Sequence, residues 1–292
     1  MPSPARVVSV RTADGMRLHA EVFGPPDAPP IVLSHGITCG VRVWAHQIQA
    51  LSDRFRVIAY DQRGHGRSDR PRGARWFTIR ALGQDLQAVL AQCLADGERA
   101  VVAGHSMGGI SIMSWAQHFP TEVPRRAAAV ALINTAADEI AAHSGGAHMF
   151  PSIRLVSRSV ALAPLYVPSA PGIRDLVRWL VFGEHAHPEH LELTYRLLSA
   201  CPPRTRSHLA KSLLAMDLRP RLHTLTVPTL VIGGQQDRLL PPVHSVHIHG
   251  LLPNPLGLEL LPGVGHMAIF EAADHVSARL ADLADRHLPR RS

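Results

Sequence analysis

A chain of 292 residues, 46% hydrophobic and 18% charged, suits one large domain, or one domain with an insertion, around a buried core. That balance excludes intrinsic disorder, collagen-like repeats and a small disulfide scaffold, and no apolar run approaches the ~18–20 residues that cross a bilayer. The formal net charge is +7, from 30 Lys+Arg against 23 Asp+Glu, but the arginines are scattered without aromatic interleaving and Lys211 is the single lysine, so no nucleic-acid partner is implied.

Met1 to Arg6 carries no apolar segment behind its charge, so the expectation is a soluble, cytoplasmic protein with no secretory signal and no integral membrane association. The opening then reads as an antiparallel hairpin: Val7 to Val10, a turn at Ala13-Asp14-Gly15, and Leu18 to Phe23. Breakers from Gly24 to Pro30 precede a strand at Ile31-Val32-Leu33. A helix is expected over Trp44–Leu51 and a strand over Phe55–Tyr60. Thr78 is placed to cap a helix reaching Cys93, with Ile79, Leu82, Leu86, Val89 and Leu90 in helical spacing. Strands follow at Ala100–Ala103 and Ala127–Ile133, with a helix over Met107–His118 between them. Two more strands are expected at Val227–Ile232 and Leu258–Leu261, and a closing helix at Met267–His287. Short apolar runs alternating with longer amphipathic ones predict a parallel sheet flanked by helices.

Between Asp138 and Leu225 the rhythm lapses. Helical pieces are broken at Pro151, Pro164, Pro168, Pro171-Gly172, Pro188 and Pro202-Pro203, and an unstructured loop of this length is improbable in a compact domain. The division expected is a core of residues 1–138 and 225–292, with residues 139–224 inserted as a helical cap. Cys39, Cys93 and Cys201 are odd in number and share no metal-ligand spacing, which fits reduced thiols.

Gly104-His105-Ser106-Met107-Gly108 is a GxSxG sequence in the context the motif requires, after an apolar strand and before a helix. A nucleophile on so tight a turn is held in strained backbone, and glycines beside it let neighbouring backbones approach. Its oxygen then stands clear of the sheet, above a helix N-terminus that favours developing negative charge. With Ser34-His35-Gly36-Ile37, the run from Asp61 to Asp69 (DQRGHGRSD), the loop at Asp237 and Gly263-Val264-Gly265-His266, the chain resembles the α/β-hydrolase family over nearly its whole length. The resemblance implies the α/β-hydrolase fold, an eight-stranded, mostly parallel sheet flanked by helices with a late cap insertion, and a Ser-Asp-His triad in that chain order.

Of the 19 histidines, His266 has the position of the base: a Gly-bounded loop just past a strand and before the final helix. His105 reads as packing and His35 as shaping the oxyanion loop. Asp237, after an apolar strand and Gly233-Gly234-Gln235-Gln236, is the expected acid, orienting the histidine without taking its proton. Asp138 and Glu139 are its rivals, because some relatives place their acid there. By the family's geometry the oxyanion donors are the backbone N–H groups of Ile37 and Met107. The 61–69 loop reads as structural. His244, His247 and His249 read as solvated faces or helix ends, with no carboxylate or cysteine nearby to complete a metal site.

The chemistry expected is a serine hydrolase acting on a carboxylic ester or related acyl compound: a carboxylesterase or monoacylglycerol-lipase-like enzyme, with thioesters and lactones in range. Such a site calls for no metal or organic cofactor. The partner is a small acyl substrate of apolar character, since Leu155, Val156, Leu162, Leu165, Val167, Leu176, Val177, Leu180, Val181 and Phe182 offer a pocket lining or the cap's own core. Tyr166 and Tyr195 are similar to the activating tyrosines of epoxide hydrolases, but those enzymes and haloalkane dehalogenases use an aspartate nucleophile, and an alkyl ether on Ser106 could not be hydrolysed. Cofactor-free haloperoxidases (perhydrolases) and carbon–carbon bond hydrolases share the serine triad and stand as alternatives. A non-catalytic small-ligand binding protein is the alternative from another class. No oligomeric state is implied.

Overall fold

Alternation along the strands builds the core. In the computed structural model, which describes residues 2–138, 140, 162, 164–166, 171–184 and 186–289, eight strands form one sheet: β1 (Arg6–Arg11), β2 (Arg17–Phe23), β3 (Pro30–Ser34), β4 (Arg56–Tyr60), β5 (Ala100–His105), β6 (Ala127–Ile133), β7 (Thr229–Gly234) and β8 (Pro255–Leu261). Successive side chains point to opposite faces. Val32, Ile58, Val102 and Val130 join the core on one face, while Ile31, Leu33, Val57, Ala59, Val101 and Ala103 join the core on the other. Strands buried on both faces must be apolar throughout, and β6, AAAVALI, is.

The strand order is β1-β2-β4-β3-β5-β6-β7-β8. The hairpin β1–β2 pairs antiparallel and joins β4 antiparallel, and the remaining ladders are parallel. After β3 the chain crosses to one side to make β4 and returns to the other to make β5. The carboxyl ends of β3 and β5 therefore flank a topological switch point, where open α/β sheets hold their ligands.

Helices α1 (Ala45–Leu51), α2 (Ile79–Cys93) and α3 (Met107–His118) cover the sheet with the C-terminal helix Ala273–His287. Thr78 caps α2, its hydroxyl accepting the Ala81 N–H at 3.1 Å, a bond of about 1 kcal/mol. The 61–69 loop is tied down by Arg63, fully buried against Asp85 at 2.6 Å and reaching Asp14 at 2.9 Å. Among the described residues no helix is long and apolar enough to cross a membrane.

Among the expected boundaries that shift, β7 runs Thr229–Gly234 rather than Val227–Ile232. The last strand begins at Pro255 rather than Leu258, because β8 is an edge strand, where a missing N–H is tolerated. The closing helix is two pieces, Ala268–Glu271 and Ala273–His287, separated at Ala272 (φ −128°, ψ 43°).

Between β6 and β7 the described residues form helices Pro171–Val181, Pro188–Ala200 and Pro203–Leu214. Each opens on a proline, which suits the first helical position. Pro151, Pro168, Glu139, Leu155, Val156 and Val167 lie outside the described residues. Phe182 is buried in the core that includes Ile31, Leu33 and Val57, with Leu191, Leu193 and Leu197 packed against it, and Tyr166 is 79% exposed.

Candidate active site

Ser106 sits at φ 53°, ψ −119° between β5 and α3, a conformation that costs a non-glycine residue about 1–3 kcal/mol. The surroundings hold it there. Its N–H donates to Ile133 O at 2.9 Å, and its carbonyl accepts the Gly109 N–H at 2.9 Å and the Thr135 hydroxyl at 2.8 Å. A Cβ on Gly104 would overlap the Gly108 backbone, and one on Gly108 would overlap the Ser34 carbonyl. Both flanking glycines are thus required by backbone contact.

The Asp237 and His266 loops meet beyond β7 and β8. His266 Nδ1 lies 2.7 Å from Asp237 Oδ2. A carboxylate accepts, so Nδ1 carries the proton and Nε2 keeps its lone pair for a base's work. Asp237 is 3% exposed and fully bonded: Oδ1 accepts the Leu239 and Leu240 amides at 2.9 and 2.8 Å, and Oδ2 also accepts Asn134 Nδ2–H at 3.0 Å. Among the described residues no hydrogen bond joins the Ser106 hydroxyl to the His266 ring; such bonds often tighten only with substrate. The Ser106 turn and the His266 loop are brought together through His105, whose Nε2–H donates to the His266 carbonyl at 2.8 Å, with the two rings 4.9 Å apart. His105, expected to be packing alone, therefore also holds the histidine loop.

The His266 loop is sewn to the chain leaving helix Pro171–Val181. His266 N–H donates to Val181 O and Glu184 N–H to Gly263 O, both at 2.8 Å. Glu271 accepts the Gly183 N–H at 2.7 Å and the Gly265 N–H at 3.0 Å, one on each carboxylate oxygen. Burial pushes its carboxyl up from the usual range.

After β3, His35 Nδ1–H donates to Gly36 O at 2.7 Å while its Nε2 accepts the Gln62 N–H at 2.9 Å. His65 accepts the Thr38 N–H on Nε2 at 3.0 Å and donates from Nδ1 to Arg63 O at 3.1 Å. These bonds fix the 35–38 loop, in which Thr38 takes φ 61°. The Ile37 and Met107 amides find no acceptor among the described residues.

Burial holds His65 and His105 down at about 3 and lowers His35 as well. Folded, His65 and His105 stay neutral where the unfolded chain takes up protons near 6.5. Their contribution is therefore intact above pH 6.5 and is lost as pH falls below it. Stability should drop by roughly 1 kcal/mol for each of His65 and His105 one pH unit below 6.5. Urea unfolding at pH 7.0, 6.0 and 5.5 reads this directly, and a flat profile over that window contradicts it.

The rival carboxylate is engaged elsewhere: Asp138, 1% exposed, pairs with Arg219 at 2.8 Å. His244, expected to be solvated, is buried on helix Pro242–Leu251, while His247 is exposed. Among the described residues no group of three His, Cys, Asp or Glu side chains could hold a metal ion. Asn134 and Glu271 were not singled out from sequence. For Asn134 the one available signal is an asparagine straight after an all-apolar strand, since asparagine accepts positive φ readily.

The family model described as the α/β hydrolase fold matches residues 29–273. The chain is 31% identical over 227 residues to 3-oxoadipate enol-lactonase 2 of Acinetobacter baylyi, covering 77% of this chain and 78% of that protein. Among solved structures, a thermophilic esterase from Thermogutta terrifontis aligns with TM-score 0.78 at 25% identity, covering 97% and 100% of the two chains. The enol-lactonase from Burkholderia xenovorans LB400 aligns with TM-score 0.74 at 26% identity, covering 96% and 100%. Because the matched region runs from β3 to the start of the last helix and takes in every strand that carries the site, the chain belongs to the α/β-hydrolase family.

Proposed function

We propose that the protein is a serine hydrolase cleaving carboxylic esters, including their cyclic form, lactones, through an acyl-enzyme intermediate. The observation that carries this reading is the buried 2.7 Å bond between Asp237 and His266 Nδ1, which leaves Nε2 without a partner among the described residues, beyond the carboxyl ends of the strands where Ser106 stands on its strained turn. Ser106 Oγ attacks the carbonyl carbon as His266 Nε2 takes its proton. The tetrahedral oxyanion is met by the Ile37 and Met107 amides. His266 then returns the proton to the leaving alkoxide, and a water, deprotonated by the same nitrogen, releases the acid. The enol-lactonase and esterase likenesses support a carbonyl–oxygen bond as the one cleaved.

Residues 139–224 act in this reading as a cap over the core of residues 1–138 and 225–292, and Leu162, Leu165, Leu176, Val177 and Leu180 supply its apolar character. An uncharged, medium-length acyl group is the preferred substrate. Across p-nitrophenyl esters of graded length, kcat/KM should rise by about fourfold per methylene, the equivalent of about 0.8 kcal/mol of burial, until the pocket is full. A rate that keeps climbing to emulsified long-chain triglycerides, with interfacial activation, contradicts this. Stoichiometric labelling by a fluorophosphonate, blocked by Ser106→Ala, tests the serine reading itself; a binding protein with no active nucleophile would stay unlabelled.

A further inference from the structure

We propose that Asn134 is a positioning residue for this reaction: its side-chain amide sets the acid and the histidine loop in register. The inference rests on the triad reading above. Asn134 is 1% exposed and follows β6 at φ 45°. Its two amide protons go to two different parts of the site, one to Asp237 Oδ2 at 3.0 Å and one to the carbonyl of Gly265, the residue before His266, at 3.1 Å. Its own N–H is bonded to Ile232 O at 2.8 Å, at the end of the strand that leads to Asp237.

The oxygen chosen matters. Oδ1 of Asp237 is fixed by two backbone amides within its own loop. Among the described residues Oδ2 has only His266 and Asn134, so the asparagine is the group outside the pair that fixes the direction of the acid–base bond. It also shares the carboxylate's negative charge with the imidazole. The next residue completes the grip: the Thr135 hydroxyl donates to the Ser106 carbonyl at 2.8 Å, and Gly109 lies so close beneath that a Cβ there would sit 2.7 Å from Thr135. One dipeptide at the end of β6 thus holds the nucleophile's turn with one side chain and the acid–base pair with the other. The titratable groups around the pair are Glu271, which acts on Asp237 from the helix after the loop, and His105, which faces the His266 ring.

Asn134→Gly tests this, since glycine keeps positive φ without strain and removes both donors. Expected are a fall in kcat of about 10- to 100-fold with KM within threefold of wild type, per active site titrated to completion with a fluorophosphonate. The acidic limb of kcat/KM should move to higher pH, because a carboxylate no longer shared with an amide holds the imidazolium more firmly. Asn134→Asp keeps size and backbone tolerance but turns an acceptor towards Asp237. It should be worse than glycine at neutral pH, whereas a mere spacer would rank aspartate near wild type. Unchanged kcat and limb in Asn134→Gly, or near-normal Asn134→Asp, overturns the proposal. Asp237→Asn, run in parallel, separates the two failures. If it is impaired while the Asn134 variants are normal, only this inference falls; if it too is normal, the triad reading falls.

Discussion

Ser106→Ala is expected to abolish ester hydrolysis and leave the fold intact. Removing the nucleophile of a triad costs about 10⁴-fold or more in turnover, because the remaining members act only through it. The stability of the variant should be that of wild type. The hydroxyl makes no side-chain bond among the described residues, and alanine inherits the same backbone bonds to Ile133 and Gly109. Turnover of an activated ester and the thermal midpoint are the two measurements. Activity within tenfold of wild type, with contaminating hydrolase excluded, would sink the assignment.

Asp237→Asn and Asp138→Asn should part by orders of magnitude. In Asp237→Asn the amide keeps an acceptor for Leu239 and Leu240 but can present a donor where Oδ2 met two donors, Asn134 and His266. His266 is then driven to the tautomer with Nε2 protonated, which cannot accept from Ser106, and kcat/KM should fall by up to about 10⁴-fold. Asp138→Asn loses an ion pair with Arg219, which touches stability and leaves the acid–base pair as it was. Its kcat/KM on the same activated ester should stay within a few-fold of wild type. The reverse order of losses would move the acid to Asp138.

Legibility in the sequence followed the range of the interaction. Gly104, Ser106 and Gly108 could be read because the constraint is local: one turn, one backbone conformation, no room for a Cβ. Short apolar runs likewise placed the central strands, and the helical spacing of Ile79, Leu82, Leu86, Val89 and Leu90 placed Thr78 as a cap. Asp237 and His266 were reachable because each follows a strand at the same sheet edge. Asn134 was not, since its partners lie 103 and 131 residues away and an asparagine after a strand looks like any turn residue. His105 was read only in part, because a neighbour of the nucleophile gives no hint that its ring reaches a backbone carbonyl 161 residues on. His244 went the same way: helical position says little about which side a single histidine faces.

The stitching of Val181–Glu184 to Gly263–His266 constrains how this architecture can be recombined. A Cβ on Gly183 would overlap the Gly263 carbonyl, and one on Gly265 would overlap Gly183 and Phe182. The residues Val181–Glu184 therefore share a seam with the His266 loop and belong mechanically to it. A chimera that takes its whole β6–β7 segment from a relative would replace half of that seam and disturb a loop it never meant to touch. A graft that stops short of Val181 leaves Val181–Glu184, and so the backbone bonds to Gly263 and His266, with the host.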